Sequence, residues 1–285
     1  MRSDPADYDL VIADSLPAAL ALLSRNEGWR PLAGGTDLMV LFNAGRLPYN
    51  MFVSVGQLPE LRAIEASENS LIVGAGITYS EIRAHPVLRS EFPLLWDAAG
   101  WIGGTANQNR GTLGGNIANA SPAADSSPML LVYDAELELS SKSGVRWVPY
   151  SRFHIAYKQT QLRVDELITR IRLARSSFGA TQYARKIGTR KAQAISKVCF
   201  AATARHTGKT VRDIRIAVGS VAPTPLRCFE TERALRDVEL SAKVMERAMQ
   251  TLADEISPID DIRSTQRYRT QVALDQLAAF LGGLS

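Results

Sequence analysis

The chain has few residues that could bind a metal ion. Its 285 residues include 2 Cys and 3 His, and Cys199 and Cys228 do not form a CxxC pair. An iron–sulfur cluster needs about four thiolates, and a structural zinc ion needs about four nitrogen or sulfur ligands. This chain alone is therefore expected to hold neither. So few cysteines, without a secretion signal, are typical of a protein in a reducing compartment.

The sequence also lacks a segment that could span a membrane. No apolar run approaches the ~18 residues that a transmembrane helix requires, and the first ten residues contain no apolar signal-peptide region. We therefore expect a cytoplasmic protein with no membrane span. Hydrophobic residues make up 46% of the chain and charged residues 22%, as in folded globular proteins. The length predicts about two domains of roughly 150 residues each.

Charges of the two signs are nearly balanced, with 33 Lys and Arg against 29 Asp and Glu. The one local excess lies in residues 185–197, which contain five basic side chains and no acidic one. No aromatic residues alternate with these charges, as binding to single-stranded nucleic acid would favour. A solvated face or a subunit contact is the favoured interpretation, and no nucleic acid is expected as a partner.

Hydrophobic periodicity predicts a mixture of helices and strands. A strand at residues 29–33 leads through glycines into a helix from Thr36, and a further strand follows at residues 52–55. This order forms a β–turn–α–β unit. Earlier in the chain, residues 15–25 predict a helix with Ser15 or Asp14 as its cap.

The middle of the chain predicts a long polar loop at residues 105–125, because Gly, Asn, Ser, Ala and Pro leave little room for a regular amphipathic element. Met129–Val132 is apolar and is predicted as a strand. Gly144 is predicted as the turn of a hairpin. Towards the C-terminus, a helix is expected after Ser241.

The last helix is expected to begin near Ser264. Its apolar spacing predicts Tyr268, Val272 and Leu277 as buried positions.

Two glycine-rich segments are candidates for a binding site, namely Leu32–Leu38 and Gly111–Asn116. Glycine lets the backbone adopt positive φ and lets amide groups approach a ligand without a Cβ in the way. Because the first segment lies between a strand and a helix, its amides favour an anion such as a diphosphate. Asp37 would repel a diphosphate, so we expect its carboxylate to accept hydrogen bonds from backbone amides or a ligand hydroxyl. The chain contains neither GxGxxG nor GxxxxGK[ST], so a different kind of cradle is needed.

These segments resemble a known family. The sequences LAGGTDL at residues 32–38 and NRGTLGGNIANASPAADSSP at residues 109–128 closely resemble the FAD-binding subunit of molybdenum hydroxylases. This family includes xanthine dehydrogenase, aldehyde oxidase and carbon monoxide dehydrogenase. The resemblance continues in VRWVPYSRFH at residues 145–154 and in YARKIGTRKAQAISKV at residues 183–198. It also includes VAPTPLRC at residues 221–228 and the closing Ser264, Tyr268 and Arg269.

The resemblance implies an α+β fold with two domains. Residues 1–175 would form a two-lobed FAD-binding domain of the vanillyl-alcohol-oxidase (PCMH) type, with lobes at about residues 1–56 and 57–175. Residues 176–285 would form the small C-terminal α+β domain of this family, with a short antiparallel sheet.

The resemblance also implies which residues bind the cofactor. The backbone of Ala33, Gly34, Gly35 and Thr36 would lie along the FAD diphosphate, within a segment that wraps the cofactor. The complete set of implied cofactor-binding residues is Arg30, Pro31, Leu32, Ala33, Gly34, Gly35, Thr36, Asp37, Leu38, Ile102, Gly103, Thr112, Gly114, Gly115, Asn116, Asp125, Ile168 and Lys186. No residue is implied as catalytic and none as a metal ligand.

The sequence departs from the family pattern before Asn109. Relatives often carry Pro-Gln-Ile-Arg there, whereas this chain has Thr105-Ala106-Asn107-Gln108. Arg110 is a candidate to replace the missing basic contact. Neither glycine segment contains a histidine, so the FAD is expected to be non-covalent.

The implied function is electron transfer in a molybdenum hydroxylase complex. Molybdopterin would reside in a large partner subunit and two [2Fe–2S] clusters in a small one. Electrons would pass from these clusters through FAD to an acceptor such as NAD. One alternative is a self-contained FAD-dependent reductase of the same fold that uses NADPH. A second is a non-enzymatic module that binds nucleotides or nucleic acid, which predicts a colourless protein.

Overall fold

The computed structural model describes residues 3–190 and 193–284. Its N-terminal part is a parallel three-stranded sheet of order β1–β3–β2. The elements are β1 Asp9–Ile12, α1 Leu16–Leu23, β2 Arg30–Leu32, α2 Leu38–Asn43 and β3 Met51–Ser54, preceded by a 3₁₀ helix at Pro5–Asp7. Helix α1 begins where the Ser15 hydroxyl accepts a hydrogen bond from the Ala18 amide. The predicted β–turn–α–β unit is confirmed as β2, α2 and β3.

The middle part is built on an antiparallel sheet of order β4–β5–β10–β6–β7. Its strands are β4 Ile64–Ala66, β5 Ser70–Gly74, β6 Glu136–Ser141, β7 Gly144–Pro149 and β10 Leu167–Ala174. A separate hairpin pairs β8 His154–Ala156 with β9 Gln159–Thr160, and 3₁₀ helices lie at Pro59–Leu61 and Arg175–Ser177. The predicted hairpin at Gly144 is confirmed, because β6 and β7 pair across it.

Helices of this part connect and cover the sheet. They are α3 Tyr79–Ala84, α4 Pro86–Glu91, α5 Pro93–Trp101, α6 Thr105–Gln108, α7 Leu113–Asn119, α8 Ser127–Val132 and α9 Tyr150–Phe153. Their apolar side chains pack with β5, β6 and β10 in the largest core cluster, around fully buried residues such as Leu95, Leu113 and Ile171. This core supports the segments on which the candidate site is built.

Two predictions for this part are wrong. Residues 105–125 contain the short helices α6 and α7 within the segment predicted as a loop. Met129–Val132, predicted as a strand, forms the end of α8. A short apolar run cannot distinguish a buried strand from a buried helix, and all four of these residues are at most 2% exposed.

The C-terminal part contains a second antiparallel sheet, in which β11–β14 follow in order and β15 pairs with β13. Its elements are β11 Thr181–Ile187, β12 Val198–Thr207, β13 Thr210–Gly219, β14 Leu226–Arg227, α10 Phe229–Leu235, β15 Val238–Glu239, α11 Ala242–Glu255 and α12 Gln266–Gly282. The helix predicted after Ser241 is confirmed as α11, because the Ser241 hydroxyl accepts from the Val244 amide. The expected α+β class is observed.

The predicted buried face of the last helix is partly wrong. Tyr268 is 42% exposed and Val272 is half-buried, whereas Leu277 is buried as expected. The buried face includes Arg269, whose Nη1 donates to the Ser220 carbonyl and whose Nη2 pairs with Asp261 at 2.7 Å. Because Arg269 is polar, it interrupts the apolar pattern of the buried face, and apolar periodicity alone does not identify that face.

The middle and C-terminal parts share a core and an ion-pair network centred on Asp134. Cys199, Ala201 and Ala217 of β12 and β13 belong to the same cluster as the middle sheet. The Asp134 carboxylate accepts from Arg227 Nη1 at 2.7 Å and lies 2.8 Å from Arg215 Nε. These contacts fix the position of β12, β13 and β14 against α8. Among the described residues, no helix combines the length and hydropathy needed to cross a bilayer.

Candidate functional site

The first glycine loop connects β2 to α2 and leaves backbone donors free. Gly35 has φ of +72°, a conformation that favours glycine. Within the described residues, the amides of Gly34, Gly35 and Thr36 donate to no protein acceptor. Three successive free amides form a concave set of donors of the kind that binds phosphate groups. Helix α2 has only six residues, so these amides are the main contribution of the loop.

The second glycine loop is held by hydrogen bonds to its neighbours. The Leu113 amide donates to the Ile77 carbonyl at 3.0 Å, and the Gly114 amide donates to the Ala75 carbonyl at 2.8 Å. The Gly115 amide donates to Thr112 Oγ1 at 3.1 Å, which caps helix α7. These amides are therefore occupied by the protein itself. The loop offers a rigid wall, with Gly115 exposed and Asn116 half-buried.

The two loops contact each other through their backbones. A Cβ on Gly34 would lie 2.0 Å from the Arg110 carbonyl oxygen, which is far inside contact distance. A Cβ on Gly111 would lie 3.3 Å from Thr36 Oγ1. Glycine at position 34 is thus required for the lobes to approach this closely. The close approach brings both predicted glycine segments into one site.

Asp37 is held by a side chain from the other lobe. Its Oδ1 accepts from Asn119 Nδ2 at 3.2 Å, and Lys158 Nζ donates to Asn119 Oδ1 at 2.7 Å. The expectation for Asp37 was an acceptor for backbone amides or for a ligand hydroxyl. The structure instead gives it the Asn119 amide, which is a second bridge between the loops.

A polar cleft of about 340 Å³ opens between the loops. Ala33, Gly34 and Thr112 line it from the glycine loops. Its charged side chains are Arg62, Glu81 and Arg110, with Gln57, Ser80 and Asn109 as further polar groups. Arg62 forms an ion pair with Glu81. The cleft therefore combines backbone donors, neutral polar groups and one remaining cation.

A buried ion pair lies beyond the second loop. Lys186 Nζ is 2.6 Å from Asp125 Oδ2 and also donates to the Trp101 carbonyl at 2.9 Å. Each of the two charged side chains is 9% exposed. The Ser196 hydroxyl donates to the other carboxylate oxygen of Asp125. Burial raises the pKa of Asp125, although the Lys186 ammonium and the Ser196 hydroxyl oppose the shift.

The other predicted site residues lie around this pair or in the core. Ile102 follows Trp101 and is half-buried, and Gly103 has φ of +55°. Lys186 therefore ties the 101–103 segment to β11. Ile168 is 5% exposed and belongs to the main core. Its neighbour Thr169 accepts a hydrogen bond from the Ala75 amide at 2.9 Å, which places the Ile168 backbone beneath the second loop.

Sequence reasoning missed three polar groups that support the site, namely Asn119, Lys158 and Ser196. Each lies outside the two glycine segments, and the contacts that bring it to the site span 39 residues or more. Ser196 lies within the basic segment at residues 185–197, whose most visible feature is its charge. Lys191 and Ala192 of that segment lie outside the described residues.

The donor set fits a dinucleotide cofactor better than a metal ion. Among residues 3–190 and 193–284, no group of three or more His, Cys, Asp or Glu side chains could hold a metal. The free amides of the first loop suit a diphosphate, and the glycines at positions 34 and 114 stand where a Cβ would collide with backbone. The residues present therefore fit an extended nucleotide such as FAD.

Comparison with known protein families gives two matches that together include most of the chain. Residues 6–175 match the FAD-binding domain in molybdopterin dehydrogenase. Residues 183–284 match the CO dehydrogenase flavoprotein C-terminal domain.

Curated relatives match over nearly their full length. The chain is 30% identical over 282 residues to the xanthine dehydrogenase FAD-binding subunit of Escherichia coli O157:H7, covering 95% of this chain and 96% of that protein. It is 30% identical over 268 residues to the glyceraldehyde dehydrogenase medium chain of Sulfolobus acidocaldarius, covering 94% and 95%.

A solved structure has the same fold throughout. It is a chain of carbon monoxide dehydrogenase from Hydrogenophaga pseudoflava, in a form that lacks the Mo-pyranopterin moiety of its cofactor. The TM-score is 0.94 at 26% sequence identity, and the alignment covers 100% of this chain and 98% of that one.

Proposed function

The chain belongs to the family of FAD-binding subunits of molybdenum hydroxylases, and on that premise we propose that it is the electron-transfer subunit of such a complex. Electrons from [2Fe–2S] clusters of a partner subunit would pass through FAD on this chain to an acceptor such as NAD. The protein is an oxidoreductase subunit and FAD is its cofactor.

The observation that supports this proposal most strongly is the free amide series of the first loop. The Gly34, Gly35 and Thr36 amides have no protein acceptor among the described residues, while the facing loop uses its Leu113, Gly114 and Gly115 amides for hydrogen bonds within the protein. One loop is thus arranged to donate to a diphosphate and the other to enclose it. An adenine dinucleotide that spans both lobes would accept hydrogen bonds from the first loop and pack against the second.

The proposed cofactor-binding residues act by position. The segment from Arg30 to Leu38 wraps the cofactor, and the wall formed by Thr112, Gly114, Gly115 and Asn116 faces it. Ile102, Gly103 and Ile168 border the flavin end, together with Asp125 and Lys186. When bound, FAD supplies the redox chemistry, and the protein supplies orientation, electrostatics and access.

The Asp125–Lys186 pair has a specific task in this arrangement. Because Lys186 Nζ donates to both the Asp125 carboxylate and the Trp101 carbonyl, its side chain is held in one place. The pair thereby holds the 101–103 segment, α8 and β11 in one fixed arrangement at the flavin end. This residue pair orients the site and takes no part in bond making.

The proposed partners are supported by the names of the relatives, which are a FAD-binding subunit and a medium chain. An iron–sulfur small subunit and a molybdopterin large subunit would supply the other centres, in a cytoplasmic heterotrimer. The named relatives act on substrates as different as xanthine and glyceraldehyde. We infer that the substrate pocket lies in the large subunit.

We also propose the division into domains at residues 175 and 176, with the first domain split at about residue 56. The parallel sheet of the first lobe packs with α1 in a small core, which Leu58, Leu61 and Leu167 of the second lobe complete. The C-terminal sheet has a second core with α11 and α12. These two clusters support the proposed units.

The first test is an absorbance spectrum of the purified full chain, followed by heat denaturation and assay of the supernatant. We expect the bands of oxidised flavin and the release of about one FAD per chain, since one FAD would occupy the cleft between the two glycine loops. A colourless chain that also fails to bind added FAD contradicts the proposal.

A second test is purification of the native complex, with analysis of molybdenum and iron. The expected result is co-purification of two further chains that carry these metals. Robust NADPH oxidation by the isolated chain, with no such partners, would instead support a self-contained reductase.

A further inference from the structure

Arg110 is the one charged side chain lining the described cleft that has no partner. Of the other two, Arg62 pairs with Glu81 and also donates to the Gly56 carbonyl. The Arg110 guanidinium forms no hydrogen bond, ion pair or ring contact with the described residues. With the other two charges mutually neutralised, the cleft carries one net positive charge.

The backbone of Arg110 is fixed from several sides. Its amide donates to the Asn107 carbonyl at 3.2 Å, and the next amide, of Gly111, donates to the same carbonyl at 2.6 Å. Its own carbonyl oxygen abuts Gly34, where a Cβ would lie 2.0 Å away. Thr112, two residues later, bridges to Thr78. The origin of the side chain is therefore rigid, while the guanidinium itself is exposed.

This placement puts Arg110 and the Gly34 backbone in the lining of one cleft. The Arg110 carbonyl touches Gly34, whose amide begins the unpartnered series of the first loop. Arginine presents planar donors that match the oxygen atoms of a phosphate, and such charge-assisted hydrogen bonds are about twice as strong as neutral ones. Amides and guanidinium together form a donor set for a ligand with two negative charges.

We propose that Arg110 binds the diphosphate of FAD and supplies the countercharge that the glycine loops lack. The inference rests on the proposed function, because it assumes that FAD occupies this cleft. Asp37 strengthens the argument, since its carboxylate lies at the end of the first loop and would otherwise leave the site without net attraction for an anion. Lys186 is already paired with Asp125, and Lys158 is held by Asn119, which also donates to Asp37. Neither lysine is among the residues that line the described cleft.

The test is a titration of the flavin-free full chain with FAD, followed by flavin fluorescence. R110Q should weaken FAD binding about tenfold, the size expected for losing a hydrogen bond to a charged group. R110K should lie between wild type and R110Q, because lysine keeps the charge without the planar fork. Raising the salt concentration should weaken binding to the wild type more than to R110Q.

Two controls separate a diphosphate contact from a general effect. R247Q removes the same charge from the exposed face of α11, in the C-terminal part, and should bind FAD as the wild type does. Riboflavin carries no phosphate, so R110Q and wild type should bind it equally. Equal melting temperatures for the two variants would show that both are folded.

The outcomes distinguish this inference from the function on which it rests. If wild type binds FAD and R110Q binds it equally well, the role of Arg110 is wrong and the proposed function stands. If R110Q also loses riboflavin binding, the side chain acts on the fold and the inference is again wrong. If wild type binds no FAD, the proposed function fails, and this inference fails with it.

Discussion

The two glycine loops differ in what their backbone amides do. In the first, the Gly34 and Gly35 amides have no protein acceptor among the described residues, whereas in the second the Gly114 and Gly115 amides donate to Ala75 and Thr112. In the first loop glycine leaves backbone amides accessible to a ligand, and in the second it allows close packing of the backbone. A glycine-rich motif can thus supply either hydrogen-bond donors or room for close packing, and the hydrogen-bond partners of its amides distinguish the two.

The largest expected effect is from G34A. The new Cβ would lie 2.0 Å from the Arg110 carbonyl oxygen and 2.7 Å from its carbonyl carbon, and neither backbone atom can move without displacing the second loop. We expect the free energy of unfolding to fall by about 3 kcal/mol, the upper end for overpacking, and flavin content to fall below about a tenth of wild type. Urea denaturation and flavin assay measure the two effects.

A matched control for G34A is G282A, at the exposed end of α12, where a Cβ meets nothing within 4 Å. It should unfold as the wild type does or be slightly more stable, and it should keep its flavin. If G34A retained full stability and flavin content, the close contact of the loops would be wrong.

The second-largest effect is expected from G114A, which tests the packing of the second loop without removing a hydrogen-bond donor. Its Cβ would lie 2.6 Å from Ala75 Cβ and 2.8 Å from the Ala75 carbonyl oxygen. We expect a loss of about 2 kcal/mol in stability. The double variant G114A/A75G should recover part of this loss, because it removes one of the two colliding atoms. Absence of any recovery would locate the strain elsewhere.

The third effect is from T112A, which removes the cap of α7. Loss of the Thr112 hydroxyl leaves the Gly115 amide without its acceptor, so stability should fall by about 1 kcal/mol. T112S keeps the hydroxyl and should restore stability. FAD affinity should stay within about threefold of wild type, because a loop that acts as a wall does not need this amide for the ligand. A much larger loss of affinity would make the second loop a donor as well.

Much of the fold is predictable from local pattern, because period and capping are local properties. The helix after Ser241 has both a capping residue and a regular apolar stripe, so the sequence predicts it. Residues 105–125 concealed α6 and α7 because each is under two turns long, too short for periodicity to show. The apolar run Met129–Val132 predicts a strand although it is helical, because a segment buried on all sides shows no helical or strand period.

The site was predictable in its backbone and less so in its side chains. The glycine segments are visible in the sequence because several glycines fall within a few residues. The structure needs them there for close backbone contacts at Gly34 and Gly114 and for a positive φ at Gly35. The contacts of Asp125 with Lys186 and Ser196 depend on how β11 and β12 dock against α8, a long-range result that no local pattern encodes. The contacts of Asn119 with Asp37 and Lys158 are likewise long-range and are not encoded by a local pattern.

The smallest effect is expected from D37N, which changes a side chain of the first loop and leaves the second loop unaltered. Asparagine keeps an oxygen that can accept from Asn119 Nδ2, so the free energy of unfolding should change by less than about 0.5 kcal/mol. Removing one negative charge next to a diphosphate should raise FAD affinity, by less than about threefold, since water screens exposed charges. Fluorescence titration at low salt gives the sign. A loss of affinity would mean instead that the Asp37 carboxylate accepts a hydrogen bond from a ligand hydroxyl, and the first loop would then bind its ligand through a side chain as well as through its amides.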